Sequence, residues 1–313
     1  MQEKSLAFVF PGQGSQKIGM LAELAGRYPV VQATFNEASD ALGYDLWEMV
    51  QDGQQEDINL TERTQPILLT ASVAVWRVWQ ELGGPEPVLT AGHSLGEWSA
   101  LVCTGSVAFA DAVKLVRLRG AFMQEAVPAG EGAMAAIIGL DDQVILDICN
   151  RTQGQGVVSA VNFNAPGQVV IAGDAAAVEQ AVVGLKEAGA KRAMPLPVSA
   201  PFHTSLMRPA ADRLAEHIEA TDFFTPHIPV VHNVHARTEG DPEQIKKLMI
   251  EQIYRPVLWV DCVRTLLDAG ITRTVECGPG KVLSGLVKRI AKGTETYAIE
   301  DRDGLDNALS SVQ

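Results

Sequence analysis

Residues Gly92-His93-Ser94-Leu95-Gly96 set a hydroxyl between two glycines in a G-x-S-x-G pattern. A serine becomes a useful nucleophile when a sharp strand-to-helix turn pushes its Oγ into the open. The flanking glycines permit that turn. The start of the following helix offers unpaired N–H groups where a negative oxygen would form. The flanking sequence supplies both elements. "PVLTAGHS" (87–94) reads as a strand entering a turn, and "LGEWSALVCTG" reads as a helix closed by Gly105. The same pentapeptide also suits a plain glycine-rich turn, and the strand-helix context favours the nucleophile.

A serine nucleophile needs a base, and the chain has six histidines. The His93 side chain, adjacent to the serine, is expected to point away from the site. His217 follows Arg213 and Leu214 on a helix and reads as a surface group. His227, His232 and His235 fall in a strand-and-turn region. The His232-x-x-His235 pair has no third ligand at a diagnostic spacing, so no metal is expected. His203, in "SAPFHTS", lies where the chain leaves one unit for another, and such junctions wall clefts. His203 is preferred, without the residues alone excluding the others.

A second polar group stands out in "DAVKLVRLRGAFMQEAV". At about 100° per residue, Arg119 shares a helix face with Leu115, Val116, Phe122 and Met123. That face should be buried, whereas Arg117 should face water. A buried guanidinium needs an anion. An internal Asp or Glu is the ordinary solution. The alternative is a carboxylate that arrives with a substrate, for which a planar guanidinium is the fitting partner.

Chain-wide features bound the function. "FVFPGQGSQKIGM" (8–20) resembles a phosphate loop, but Lys17 stands where a dinucleotide fingerprint needs glycine and Met20 where a Walker loop needs lysine. Gly12 and Gly14 therefore signal only a tight bend or a close approach. A net charge of −13 argues against nucleic acid. No apolar run has the length of a membrane span, and the polar opening Met1–Ser5 shows no signal-peptide pattern. Four scattered cysteines, Cys103, Cys149, Cys262 and Cys277, suit buried thiols in a reducing cytoplasm.

Strand-like runs alternate with helical patterns throughout, giving an α/β class. Residues 66–80 and 111–127 read as helices. Between 133 and 198 the order is strand, helix, strand, strand, helix, strand, with "NAPG" as the central turn. That is the ferredoxin-like βαββαβ pattern. The expected arrangement is a large α/β-hydrolase-like domain with a parallel sheet core (1–127 and 199–313) and a small ferredoxin-like subdomain inserted at 128–198.

Eight ordered blocks then point to a family: "FPGQGSQ" (10–16), "TQP" (64–66), "GHSLGE" (92–97), "VRLRG" (116–120), "NFNAPGQVVIAG" (162–173), "FH" (202–203), "EQIYRPVLW" (251–259) and "ECGPG" (276–280). Over nearly its whole length the chain resembles the malonyl-CoA:acyl carrier protein transacylases of fatty acid synthesis. It is also similar to the acyltransferase domains of polyketide synthases. The resemblance implies Ser94 as nucleophile, His203 as base, and the backbone carbonyl of Gln252 orienting the histidine. It implies an oxyanion hole from the N–H groups of Gln13 and Leu95, Arg119 binding a malonyl carboxylate, and Gln65, Asn162 and Phe202 lining the pocket. Phe202, where some bacterial members carry serine, would leave less room for an α-methyl branch. The implied substrates are malonyl-CoA and the phosphopantetheine thiol of acyl carrier protein, with no metal or other cofactor.

An acidic carrier would need a basic patch. On a helix through "KVLSGLVKRIAK", Lys281, Lys288 and Lys292 would project within roughly 40° of one another, with Arg289 close by. An ordinary solvated face explains them equally well. Two other functions compete. A plain esterase would order an acid before its histidine and would leave Arg119 without a role. A non-catalytic carrier-binding relative would not need Ser94, His203 and Arg119 together. Nothing in the sequence demands more than a monomer.

Overall fold

The computed structural model describes residues 5–152, 154, 156–198 and 200–312. The expected domain limits at 1, 199 and 313 lie outside them, as does the polar opening Met1–Lys4. Among the described residues, nine strands form two sheets: β1 (Leu6–Phe10), β2 (Leu89–Gly92), β3 (Gly132–Ile138), β4 (Val158–Ala165), β5 (Gln168–Asp174), β6 (Arg192–Pro195), β7 (Val230–Val231), β8 (Arg273–Glu276) and β9 (Glu295–Ala298).

The larger sheet has the order β7-β2-β1-β8-β9, and every pairing in it is parallel. Parallel sheets are covered on both faces, so their strands are continuously apolar. β1 is buried at all five positions. Phe8 packs edge-on against Trp76 and Trp79, each 5.2 Å away, from the helix Thr61–Glu81. The opposite face carries Ala7 and Val9 against Trp259 and Val263 of the helix Trp259–Asp268.

The smaller sheet is antiparallel, in the order β4-β5-β3-β6. Helices Asp142–Thr152 and Ala175–Glu187 intervene in sequence between β3 and β4 and between β5 and β6, and Ile145, Ile148, Val178 and Leu185 join its core. Its strand β4 is tied to the larger unit. Phe163 N–H donates to the Val257 carbonyl at 3.0 Å and Val257 N–H to Val161 at 2.8 Å. Thus β4 forms a wall beside the carboxyl ends of β1 and β2, where open parallel sheets bind ligands. No helix among the described residues is long and apolar enough to cross a membrane.

Candidate active site

β1 and β2 are neighbours in register, with Phe10 opposite Gly92. Their exits therefore meet: the 11–14 loop from one, the Ser94 turn from the other. Ser94 sits between β2 and the helix Leu95–Cys103 at φ 50°, ψ −106°. Non-glycine residues seldom occupy positive φ, and such strain clusters at reacting groups. A Cβ on Gly92 would overlap the Gly96 carbonyl, and one on Gly96 would overlap the Phe10 carbonyl. The pentapeptide glycines are thus a close-packing requirement of the turn. Gly12 answers a similar need, since its Cβ would lie 2.5 Å from the His93 carbonyl oxygen. Gly14 answers the other half of the expectation, a tight bend: nothing lies within 4 Å of its Cβ position, and its φ of +105° is what calls for glycine.

Ser94 Oγ lies 2.8 Å from His203 Nε2, and His203 Nδ1 lies 2.8 Å from the Gln252 carbonyl oxygen. A carbonyl only accepts, so Nδ1 carries the proton and Nε2 is free to accept from the serine. His203 is also a positive-φ residue, at 63°. Burial first, and the Arg119 charge second, push its pKa down to about 3. The imidazole is therefore neutral at neutral pH, the state a general base requires.

Arg119 is 1% exposed, on the helix Phe109–Glu125, while Arg117 is exposed. Its Nη1 donates to Gln65 Oε1 at 2.8 Å, and its Nη2 donates to Gln252 Oε1 at 2.9 Å and to Ser94 Oγ at 3.1 Å. No carboxylate among the described residues forms an ion pair with it, and its Nε has no partner. The ordinary solution, an internal Asp or Glu in contact, is absent among these residues. Burial lowers the guanidinium pKa to about 10, opposed by the Glu97 carboxylate, so the charge persists at neutral pH.

These groups face a cavity of about 350 Å³. Gln13, Gln65, Ser94, Leu95, Arg119, Asn162, Phe202 and His203 all line it. Asn162 Oδ1 is buried without a hydrogen-bond partner among the described residues. The Ser94 N–H is engaged by Asn233 Oδ1 at 2.8 Å, whereas the N–H groups of Gln13 and Leu95 have no acceptor among the described residues. The cavity thus offers a nucleophile with its base, two unpaired N–H groups and a cation without an anion. That set can form an acyl ester and hold a carboxylate.

His93 corrects an expectation. It lines the cavity, its Nε2 lying 2.7 Å from Asn164 Oδ1, because the turn that exposes Ser94 swings its neighbour toward β4. Burial lowers its pKa. The basic stripe also needs correction. The helix runs only Val282–Ile290; Lys281 precedes it at φ −143° and Lys292 lies in the turn beyond it. Only Lys288 and Arg289 share the helix, so the 40° relation fails, and Arg289 donates to Gln168 Oε1. All four side chains are exposed. His217 is exposed, and no metal-ready group of three or more His, Cys, Asp or Glu occurs among the described residues.

Sequence reasoning missed the layer beneath, Glu97, His232 and Asn233 and the side chain of Gln252, whose carbonyl alone was expected at the site. Glu97, His232, Asn233 and Gln252 are all 0% exposed. Glu97 had a readable signal, as an acid three residues after Ser94 among the apolar neighbours Leu95, Trp98 and Leu101. His232 and Asn233 had none, since only the fold brings them there.

A family model described as "Acyl transferase domain" matches residues 7–299. The chain is 56% identical over 304 residues to the malonyl CoA-acyl carrier protein transacylase of Salmonella typhimurium, covering 97% of this chain and 98% of that one. A crystal structure of an acyl carrier protein S-malonyltransferase from Vibrio cholerae matches with a TM-score of 0.96 and 58% identity, covering 97% of this chain and 100% of that one. A malonyl-transacylase solved in complex with a type II PKS acyl-carrier protein matches with a TM-score of 0.97 and 54% identity, covering 98% and 100%.

Proposed function

This chain belongs to the acyl transferase domain family, and from that premise we propose that it moves a malonyl group from malonyl-CoA to the phosphopantetheine thiol of acyl carrier protein, supplying fatty acid elongation. The carrying observation is the unpaired, buried Arg119 guanidinium 3.1 Å from a serine that is itself 2.8 Å from a neutral histidine. A plain esterase has no use for that cation. An acyl group ending in a carboxylate does.

In the first half-reaction Arg119 binds the malonyl carboxylate, which places the thioester carbonyl over Ser94. Oγ attacks as its proton passes to His203 Nε2. The oxyanion takes hydrogen bonds from the Gln13 and Leu95 N–H groups, each such donor being worth roughly 10²- to 10³-fold in comparable sites. The imidazolium, steadied through Nδ1 by the Gln252 carbonyl, gives the proton to the departing CoA sulfur. In the second half the carrier thiol occupies the vacated position. His203 removes its proton, the sulfur attacks the malonyl-serine ester, and the proton returns to Ser94 Oγ. Gln65, Asn162 and Phe202 shape the pocket, and Phe202 crowds an α-methyl branch. Every group the chemistry uses is a side chain or backbone amide, so neither metal nor redox cofactor enters.

Lys281, Lys288, Arg289 and Lys292 give the acidic carrier its docking charge. We assign the enzyme to the cytoplasm as a monomer, with no nucleic-acid or membrane partner. The β-α-β-β-α-β order and the antiparallel sheet support a ferredoxin-like insert at 128–198 in an α/β-hydrolase-like domain. Steady-state kinetics test the transfer. Varying malonyl-CoA at several carrier-protein concentrations should give the parallel double-reciprocal lines of a ping-pong reaction. Intersecting lines, or malonyl-CoA consumption independent of the carrier, would contradict it.

A further inference from the structure

Beneath Ser94 lies a buried carboxylate that the transfer chemistry leaves without a role. Glu97 Oε1 lies 2.6 Å from His232 Nδ1. Its Oε2 accepts from the Asn233 N–H at 3.0 Å and from Gln252 Nε2 at 2.7 Å. All four residues are fully buried. A buried carboxylate is retained only when its oxygens are well satisfied, and here they accept three hydrogen bonds.

The pivotal partner is Gln252. Its side-chain amide has two ends with opposite demands. Oε1 accepts from Arg119 Nη2 at 2.9 Å, while Nε2 donates to Glu97 and to the Ser94 carbonyl at 3.0 Å. Turning the amide over would aim its NH₂ at a guanidinium and its oxygen at a carboxylate. Both contacts would be repulsive, so Glu97 and Arg119 together fix the orientation. The backbone of the same residue grips His203 Nδ1. Gln252 therefore touches nucleophile, base and cation at once, and Glu97 holds it from behind.

We infer that Glu97 is a positioning residue for this reaction: it anchors the Gln252 amide, and through Gln252 it sets His203 against Ser94 and Arg119 toward the cavity. The inference builds on the acyl-transfer assignment and adds a residue to it. Glu97 is too deep to touch substrate. Glu97 also holds the Asn233 N–H, and Asn233 Oδ1 accepts from the Ser94 N–H, but its link to His203 and Arg119 passes through Gln252, which gives a specific signature.

Two substitutions separate geometry from charge. In Glu97→Gln, an oxygen placed at the Oε2 position still accepts from Asn233 and Gln252. The new NH₂ can donate to His232 Nδ1 once that ring carries its proton on Nε2, an atom without a partner among the described residues. Glu97→Gln should therefore keep the Ser94 reaction rate within about threefold. Glu97→Ala releases the Gln252 amide and should slow it by about 10- to 100-fold, the scale on which ångström displacements of reacting groups act.

The experiment reads Ser94 sulfonylation by phenylmethylsulfonyl fluoride, followed by intact mass, in wild type, Glu97→Gln, Glu97→Ala, Gln252→Ala and the double variant Glu97→Ala/Gln252→Ala. Rates are taken per folded molecule, from thermal melts of the same samples. The probe needs Ser94 and His203 but no malonyl group. A wild type that reacts with the probe yet takes no malonyl would sink the acyl-transfer assignment while leaving this inference testable. The expected result is a Glu97→Ala loss that conservative Glu97→Gln rescues, and a double variant no slower than the slower single. Multiplying losses in the double variant, or a Glu97→Ala whose reactivity per folded molecule matches wild type, would overturn the inference.

Discussion

Replacing Arg119 with alanine should change which acyl group the enzyme accepts more than how fast it reacts. The guanidinium is 1% exposed and makes three hydrogen bonds, to Gln65, Gln252 and Ser94. A malonyl carboxylate in the same cavity would lose its buried counter-charge. Truncating one side of a buried, hydrogen-bonded charge pair costs about 2–5 kcal/mol. At about 1.4 kcal/mol per factor of ten, malonyl acylation of Ser94 should fall about 30- to 4000-fold in kcat/KM. An acetyl group has no carboxylate to strand, and its acylation should stay within about threefold of wild type or rise. Rapid-quench acylation by malonyl-CoA and acetyl-CoA, read by intact mass, gives both constants on one sample. If the two acyl groups lost rate equally, Arg119 would be organising the site in general, and its role in selecting a carboxylate would be refuted.

Acid should be tolerated far below the ordinary histidine range. Burial holds folded His203 at about 3, so the acid limb of kcat/KM should fall well below pH 6, and a midpoint between 6 and 7 would contradict a buried neutral base. The same depression makes His203 favour folding above the unfolded value of about 6.5, an advantage that declines as pH falls toward 3. Gly96→Ala should cost more than about 3 kcal/mol in urea unfolding, because its Cβ meets the Phe10 carbonyl inside the turn. Reversing the exposed charges of Lys288 and Arg289 should raise KM for the carrier protein about fivefold and leave Ser94 malonylation unchanged; an unchanged KM would remove that face from docking.

The serine turn and the apolar face of Arg119 were legible because both are local. One depends on a five-residue spacing and the other on helical periodicity. The strand and helix order of the smaller unit was legible for the same reason: its strands run from Gly132 to Pro195, against an expected span of 133 to 198. His203 could be preferred but not fixed, since its pairing with Ser94 spans 109 residues. The resemblance supplied Gln252 through its carbonyl alone; the side chain that joins Arg119 to Glu97 appears only in three dimensions. The basic stripe failed because periodicity assumed a helix through Lys281 and Lys292. The chain leaves helical geometry at both, as Gly280 at φ +82° and Gly293 in a turn flank the segment. His93 misled for a related reason: a strained turn does not alternate its side chains as a strand does.

The central claim is that Ser94 carries a malonyl group between two thiols. Intact-protein mass spectrometry after mixing with malonyl-CoA tests it most directly, with Ser94→Ala alongside. The account predicts a single malonyl adduct on the wild type, none on Ser94→Ala, and loss of the adduct to added carrier-protein thiol. An adduct that survives Ser94→Ala, or a wild type that takes none, would contradict it.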